Sequence, residues 1–355
     1  MFTQFLFYGH AHTDVLYYLY AVHLPSFWIV QHPCYEVKEP RHHAAKGGGI
    51  SVTWVTMKKT FAFFASVYLL CVFAAYGYAT ETSSELPPAG EAGLVVHYID
   101  VGQANAALII CDGEAMLIDG GNRGDSDLIY TYLKDLSVDH LKYVICTHGH
   151  EDHVGGLAGA LHYATAENAL CSVTTYDSKA FSNFLSCLEE QGIPLTVPSA
   201  GDTFALGSAS VQVIGPITAS TEQNNMSLVL RVEYGDTSFL FVGDAERDEE
   251  QSIIEAGYAL QSDVLCVGHH GSNDATSYPF LYEVMPDYAV ISVGKDNSYG
   301  HPDGNTLSRL RDADVTVFRT DLQGDIICTS DGQTIKFTVE KNPDIDTLAE
   351  ANTIY

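Results

Sequence analysis

"THGHEDHVGG", Thr147–Gly156, is the stretch on which the fold and the chemistry turn. His148, His150, Asp152 and His153 fall within it, directly after the apolar run "YVICT" and just before Gly155 and Gly156. Divalent transition metals take neutral imidazole and carboxylate ligands at about 2.0–2.2 Å. In the pattern HxHxDH a tight turn directs His148 and His150 one way and Asp152 and His153 the other. One loop can then serve two metals a few ångströms apart. Two metals so placed activate a water and clamp the attacking and leaving oxygens of a hydrolytic displacement. The two glycines let the following helix begin close to the loop. A lone histidine is usually a solvated surface residue, but four donors at this spacing behind an apolar strand point to a site.

Other apolar runs end the same way. "SFLFV" leads into Gly243-Asp244, "DVLCVG" into His269-His270-Gly271-Ser272, and "YAVISVG" into a loop ending at His301-Pro302. Polar donors at the ends of rigid strands are where a site is expected. Further strand-like runs are "GLVVHYIDV", "NAALIICD", "EAMLIDGG", "SVQVIGP", "SLVLRVEYG", "TVFRT", "GDIICTS" and "QTIKFTVE". Several are continuous β-branched and aromatic blocks, as in sheets covered on both faces. Helical patterns lie at about 125–136, 154–165, 178–191, 246–256, 276–285 and 304–312. Early hairpins followed by mixed strands and helices predict an α/β chain with two sheets and helices outside.

The N-terminal part reads differently. Met57-Lys58-Lys59 precedes the apolar run 60–79, which ends in small residues at Gly77 and Ala79. This is the pattern of a secretory signal cleaved after Ala79; at about 20 apolar residues it is also long enough for a retained membrane anchor. Residues 1–56 hold six of the fifteen histidines without helical or strand periodicity. We expect them to be a mis-called or disordered leader with Met57 as the true start. A linker, 80–93, leads to a hydrolase domain over 94–340, followed by a tail, 341–355.

The whole chain carries a formal charge of −28. Without residues 1–79, which hold five Lys/Arg and three Asp/Glu, 12 positive and 42 negative residues remain, a net −30. Such a surface repels polyanions unless a metal or a local patch offsets it. Six scattered cysteines follow residue 79, with no CxxC. Cys111, Cys146, Cys266 and Cys328 read as buried thiols, and Cys171 and Cys187 are the pair available for a disulfide in an oxidising compartment. There is no P-loop, dinucleotide fingerprint or Ser-His-Asp signature.

HxHxDH resembles the first metal motif of the metallo-β-lactamase superfamily. "YIDVGQANAALI" (98–109), "LIDGG" (117–121), "NNMSLVL" (224–230), "FVGD" (241–244), "VGHHGSNDAT" (267–276) and "ISVGKDNSYGHP" (291–302) are similar, in the same order, to the hydrolase domain of ComEC-type competence proteins. The resemblance covers about residues 94–339 and implies a four-layer αββα sandwich with a dinuclear site at one edge. It implies His148 and His150 on one metal, Asp152 and His153 on the other, and Asp244 bridging them. The HHGS histidines complete the second site, with His269 favoured as ligand and His270 as a phosphate or acid contact; His301 is a second candidate ligand. Asp152 and His270 are the expected catalytic residues. Asp119 reads as a hydrogen-bond acceptor that orients the metal loop. Asn224 and Asn225 either cap a strand or donate to a substrate oxyanion, and Ser272 is expected to touch substrate.

Two features depart from the family. Many members place a further metal histidine between the first motif and the bridging aspartate, but here only His162, in a helical pattern, lies between Gly156 and Asp244. One metal is then short of a protein ligand and holds a water or substrate oxygen. The usual "VGQGD" reads "VGQAN", with Ala104 and Asn105.

The expected function is an exported phosphodiesterase using two divalent ions, zinc or manganese, and a hydroxide held between them. Its substrate is a small or polymeric diester, such as a cell-wall or lipid head group. DNA, in a competence-like nuclease role, is favoured by the resemblance and disfavoured by the charge. The alternatives are a lactonase or β-lactamase type of carboxyl hydrolase and a non-catalytic binding module. A membrane is a partner only through residues 60–79 if the signal is uncleaved.

Overall fold

Leu94, Val96 and Tyr98 of the first strand face one hydrophobic layer, and alternate residues of the strands beside it divide in the same way between two layers. This period of two is what a sheet covered on both faces requires. The computed structural model describes residues 93–349. The leader, the signal or anchor segment and all but the last residue of the linker lie outside the described residues.

Strands β1 (Leu94–Tyr98), β2 (Ala107–Cys111), β3 (Glu114–Ile118), β4 (His140–Cys146), β5 (Thr165–Cys171) and β6 (Leu195–Thr196) join β14 (Ile326–Ser330) and β15 (Ile335–Val339) in an eight-stranded sheet. Its order is β15-β14-β1-β2-β3-β4-β5-β6. The second sheet has seven strands: β7 (Thr203–Leu206), β8 (Ala209–Gly215), β9 (Val229–Tyr234), β10 (Thr237–Phe241), β11 (Val264–Cys266), β12 (Tyr288–Ile291) and β13 (Thr316–Arg319), in the order β13-β12-β11-β10-β9-β8-β7. β3-β4-β5 run parallel in the first sheet and β10-β11-β12-β13 in the second.

The inner faces meet in one core that includes Tyr98, Ile109, Met116, Leu230, Phe239 and Phe241. The outer face of the first sheet is covered by α1 (Ser126–Asp135), α3 (Leu157–Tyr163) and α4 (Lys179–Gln191). The second is covered by α5 (Arg247–Ala256), α6 (Tyr278–Val284) and α7 (Gly304–Asp312). Two very short helices, α2 (Glu151–Val154) and α8 (Thr320–Gln323), follow β4 and β13. The result is the αββα sandwich.

The long helices are set by local chemistry. In α4, Ala180, Phe181, Phe184, Cys187 and Leu188 are buried at helical spacing, the Ser178 hydroxyl accepts from the Phe181 N–H at 3.1 Å, and Gly192 ends the helix at φ 73°. These are a side-chain N-cap and a left-handed C-terminal glycine. α7 starts with the Asp303 carboxylate accepting from the Asn305 N–H at 2.8 Å.

Some expectations need correction. The helical pattern over 154–165 is broken at Gly155-Gly156 and stops at Tyr163, and Thr165 already belongs to β5. β5 itself was not foreseen, because exposed Thr165, Glu167 and Asn168 dilute its apolar pattern. Cys171 and Cys187 are free and buried; the register sets Cys171 beside Cys146 instead. The buried Arg319 guanidinium donates to the carbonyls of Thr347 and Ala349 at 3.1 and 3.0 Å, and so fastens 341–349 to the second sheet. Among the described residues no helix is long and apolar enough to cross a membrane.

Candidate metal centre

The parallel strands explain why distant motifs converge. β4, β10, β11 and β12 end at the same edge of the sandwich, and their C-terminal loops supply His148 to His153, Asp244, His269-His270 and His301. The first loop lies tightly against its neighbours. A Cβ on Gly156 would stand 1.9 Å from the Gly120 carbonyl oxygen, and one on Gly155 2.3 Å from backbone atoms of Asn122 and Arg123. The two glycines thus permit the close approach of α2 and α3 to residues 120–123.

Two donor groups form. Asp152, His153, Asp244 and His270 make one; His148, His150 and Asp244 make the other, and within each group the donor atoms lie within 4.8 Å of one another. Asp244 belongs to both. Its Oδ1 faces His153 Nε2 at 3.2 Å and His270 Nε2 at 3.8 Å, while its Oδ2 faces His148 Nε2 at 3.9 Å. His148 Nε2 and His150 Nδ1 are 3.0 Å apart, and His270 Nε2 is 3.3 Å from Asp152 Oδ2.

The hydrogen bonds on the far side of each ring fix what the near side offers. His153 Nδ1 lies 2.8 Å from Asp119 Oδ2, an acceptor, so in the neutral ring Nδ1 carries the proton and Nε2 is left bare toward Asp244. His270 Nδ1 donates to the Ser292 carbonyl at 2.9 Å, with the same consequence. His148 Nδ1 has the Thr147 and Ser227 hydroxyl oxygens at 3.3 Å each, and Thr147 Oγ1, which spends its own proton on Asp119, faces the ring as an acceptor. Oriented imidazoles with bare inner nitrogens are what metal ligation demands.

Burial makes the group incomplete without a cation. His153 Nε2 and Asp244 Oδ1 are both buried and make no hydrogen bond. Two unsatisfied polar atoms facing each other are costly. Burial opposes protonation of His153, but Asp244, Asp119 and Asp152 outweigh it and raise its pKa well above the ordinary value. Burial likewise opposes, and Asp244 and Asp152 favour, protonation of His270, which is raised. Burial, with His153 beside it, holds His148 well below the ordinary value. Burial pushes Asp244 up, yet the histidines around it hold its carboxyl well below the usual range. The carboxylates call for positive charge, and a divalent ion supplies it. The residues fit such an ion.

The sequence reading favoured His269 as ligand and His270 as contact; in the structure it is His270 that belongs to a candidate donor group. His270 lies inside the four-donor group, while His269 lies outside both groups, with Nε2 3.8 Å from Asp244 Oδ2 and Nδ1 3.4 Å from Glu246 Oε1. The cause is a turn in which His269, His270 and Gly271 all have left-handed φ, at 49°, 54° and 80°. For non-glycine residues this costs about 1–3 kcal/mol each. His301 also lies outside both groups; it lines the cavity, about 360 Å³, with His150, Asp152, Asn224, Asp244 and Tyr299.

The asparagines do not cap a strand. Asn225 Oδ1 accepts from the Glu246 N–H at 2.9 Å and Asn224 Nδ2 donates to Glu246 Oε1 at 2.8 Å, so both tie down the turn after Asp244. Asn224 still lines the cavity. Ser272 does not line it; it is buried, and its hydroxyl accepts from the Asp274 N–H at 3.2 Å. Asn105 acts through its backbone, donating to the Asp152 carbonyl at 3.0 Å and accepting from Gly121 N–H at 2.8 Å. Its place in "VGQAN" therefore holds the loop without a carboxylate. Sequence reasoning missed Ser227, whose hydroxyl accepts from the Asp244 N–H at 2.9 Å; it stood in the quoted "NNMSLVL". It also missed Gln103, Glu151, Glu246 and Tyr299 around the cavity.

A profile of the metallo-beta-lactamase superfamily matches residues 99–295, and the chain belongs to that superfamily. It is 28% identical over 226 residues to ComE operon protein 3 of Bacillus subtilis, covering 63% of this chain and 29% of that protein. It is 33% identical over 238 residues to Recombination protein 2 of Haemophilus influenzae, covering 65% of this chain and 28% of that protein. The chain therefore spans less than a third of the length of these relatives. Among solved structures, the metallo-beta-lactamase fold protein YhfI from Bacillus subtilis aligns with a TM-score of 0.43 at 11% identity, over 64% of this chain and 95% of that one. These relatives agree with the resemblance of its motifs to ComEC-type competence proteins.

Proposed function

From superfamily membership and the donor geometry, we propose that the chain is a two-metal phosphodiesterase. The observation that carries this is that buried His153 Nε2 and Asp244 Oδ1 lie 3.2 Å apart without a hydrogen bond, between two donor groups that share Asp244. His148, His150 and Asp244 would hold one ion; Asp152, His153, Asp244 and His270 would hold the other. Zinc and manganese both suit this donor set. Ions bound there supply an activated water at neutral pH and offset charge on a phosphoryl group.

The protein's own part is orientation. Asp119, Thr147, Ser227 and the Ser292 carbonyl hold the imidazoles with their inner nitrogens bare. The three-donor group leaves the larger opening for a water or a substrate oxygen. Asp152 is the only carboxylate of the two groups that is appreciably exposed, at 32%, beside Asp244 at 3%. Its exposure leaves one side of it open to the cavity.

A small or cation-bearing diester suits the site better than long DNA. The cavity walls carry Glu151, Asp152 and Asp244, and no lysine or arginine among the described residues. The competence and recombination names of the relatives favour a nucleic-acid substrate, but a polyanion would have to approach a domain with a strong negative charge. Export remains an expectation resting on residues 57–79.

The test is hydrolysis of bis(p-nitrophenyl) phosphate by the zinc- or manganese-loaded chain, beside the β-lactam nitrocefin. Diester turnover that disappears in Asp152→Ala supports the reading. Turnover of nitrocefin alone would replace it with a carboxyl hydrolase, and turnover of neither by folded, metal-loaded protein would leave a binding module.

A further inference from the structure

His301 differs from every histidine of the two donor groups whose outer nitrogen has a partner. His153 and His270 face acceptors through Nδ1, and His148 faces two hydroxyl oxygens. His301 Nδ1 instead faces the side-chain amide nitrogen of Gln103, at 3.5 Å. The direction of that amide is not free. Gln103 Oε1 accepts from the Gly294 N–H at 3.0 Å, and a backbone N–H can only donate. The oxygen therefore points at Gly294 and the NH2 group at His301.

An NH2 group 3.5 Å from Nδ1, at the outer reach of a hydrogen bond, is met best by a lone pair there. A protonated Nδ1 would set donor against donor, so the ring is neutral with its proton on Nε2. A nitrogen that carries a proton cannot bind a metal. The ring nonetheless lines the cavity, and it is flanked by His269 at a centroid distance of 5.6 Å and by the exposed ring of Tyr299 at 5.8 Å.

The surroundings hold this arrangement in place. Gly294 has no room for a side chain: a Cβ there would lie 2.5 Å from the Gln103 backbone nitrogen. Gln103 is anchored again through its carbonyl, which accepts from Asn122 Nδ2 at 3.3 Å. Asn297 holds the His301 backbone from both sides, donating to its carbonyl at 2.6 Å and accepting from its N–H at 3.1 Å. A loop of the first sheet thus fixes a ring carried by the second.

We infer that His301 is not a metal ligand but a fixed hydrogen-bond donor to a phosphoryl oxygen of the substrate, with Gln103 as the positioning residue that sets its tautomer. No proton is transferred: Nε2–H donates a hydrogen bond to charge that grows on the phosphoryl oxygen as the diester reacts. The inference rests on the phosphodiesterase reading and assigns a substrate contact within it.

Long-range 1H–15N spectra of the full-length, zinc-loaded protein with labelled histidine test it directly, with His301→Gln assigning the signals. The expected pattern is a pyridine-like Nδ1 and a pyrrole-like Nε2 for His301, with the Nε2 signal moving when inorganic phosphate is added. Gln103→Glu, which presents an acceptor to Nδ1, should reverse the pattern. In turnover of bis(p-nitrophenyl) phosphate, His301→Ala should lower kcat on the order of 10²-fold, the usual loss of one such donor, with metal content unchanged. His301→Gln, which restores an N–H near the same point, should recover part of it. A pyridine-like Nε2, a metal lost from His301→Ala, or an unaltered kcat with metal retained would each overturn the inference. If the wild-type chain turns over no diester, the phosphodiesterase reading fails on that count, while the tautomer and the phosphate shift still decide the role of His301.

Discussion

The Asp119 carboxylate holds the His153 ring and the peptide of Thr147 at once: Oδ2 lies 2.8 Å from His153 Nδ1, and Oδ1 accepts from the Thr147 N–H at 2.7 Å. Asp119 follows β3 in a left-handed conformation, φ 59°. One carboxylate therefore fixes both the start of the metal loop and the tautomer of its last histidine.

Asp119→Asn should keep the fold and loosen the site. The amide removes the charge that supports His153 and accepts through one oxygen instead of two. Metal affinity should fall about 10- to 100-fold, the range seen for partners of ligand histidines. Competition with a chromophoric chelator measures it; unchanged affinity would show that Asp119 is dispensable to the site.

Gly156→Ala tests the close approach of helix and loop. The added methyl would fall 1.9 Å from the Gly120 oxygen, an immovable backbone atom. Overpacking of this kind costs about 1–3 kcal/mol or more. Urea unfolding should show that loss together with weaker metal binding, whereas Gly124→Ala, where nothing lies within 4 Å and the backbone is not left-handed, should cost less.

Much of this was legible in the sequence because period-two burial and strand-end motifs are local signals. The runs ending at Thr147, Asp244, His269 and His301 announced both the sheets and the edge at which they converge. The choice between His269 and His270 was not legible, since it depends on three successive left-handed residues that only packing enforces. Ser227 and Gln103 were hidden for a related reason. Each acts on a residue far away in sequence, and a hydroxyl or amide shows its partner only once the loops are assembled. Asp119 was readable because "LIDGG" ends a strand in an otherwise apolar setting, where a carboxylate needs a polar partner.

Arg309 should prove to be what holds the strained histidine turn. Its buried guanidinium donates to the carbonyls of Asn273, Ala275 and Thr276 and to Thr306 Oγ1, at 2.8–3.2 Å. Glu250 meets the same segment from the other side, accepting from the Thr276 and Ser277 N–H groups. Lysine cannot reach so many acceptors from one head group. Arg309→Lys should lower unfolding free energy by about 2–4 kcal/mol, given about 1–3 kcal/mol for each buried group left unpaired. Denaturant midpoints at constant m check it.

Glu249 supplies a pH dependence. It is buried in α5; burial raises its pKa to about 7, although the Ile217 and Thr218 N–H groups pull the other way. Its folded pKa lies above its unfolded one, so the unfolded chain releases this proton first. Stability from this group is intact below about pH 4.5 and is lost as pH rises to about 7, by at most about 3 kcal/mol. Glu249→Gln should match the wild type near pH 4.5 and melt at a higher temperature at pH 8. A difference in Tm that does not change with pH would contradict this.

Two donor groups share Asp244, and the number of metal ions each chain binds reports on that sharing. Zinc bound per chain should be measured by equilibrium dialysis on wild type, His150→Ala and Asp244→Asn. Two zinc ions are expected in the wild type, one tight ion retained by His150→Ala in the four-donor group, and weakened binding of both in Asp244→Asn. A wild type that binds no zinc, or an Asp244→Asn variant that holds two as tightly as the wild type, would contradict that sharing.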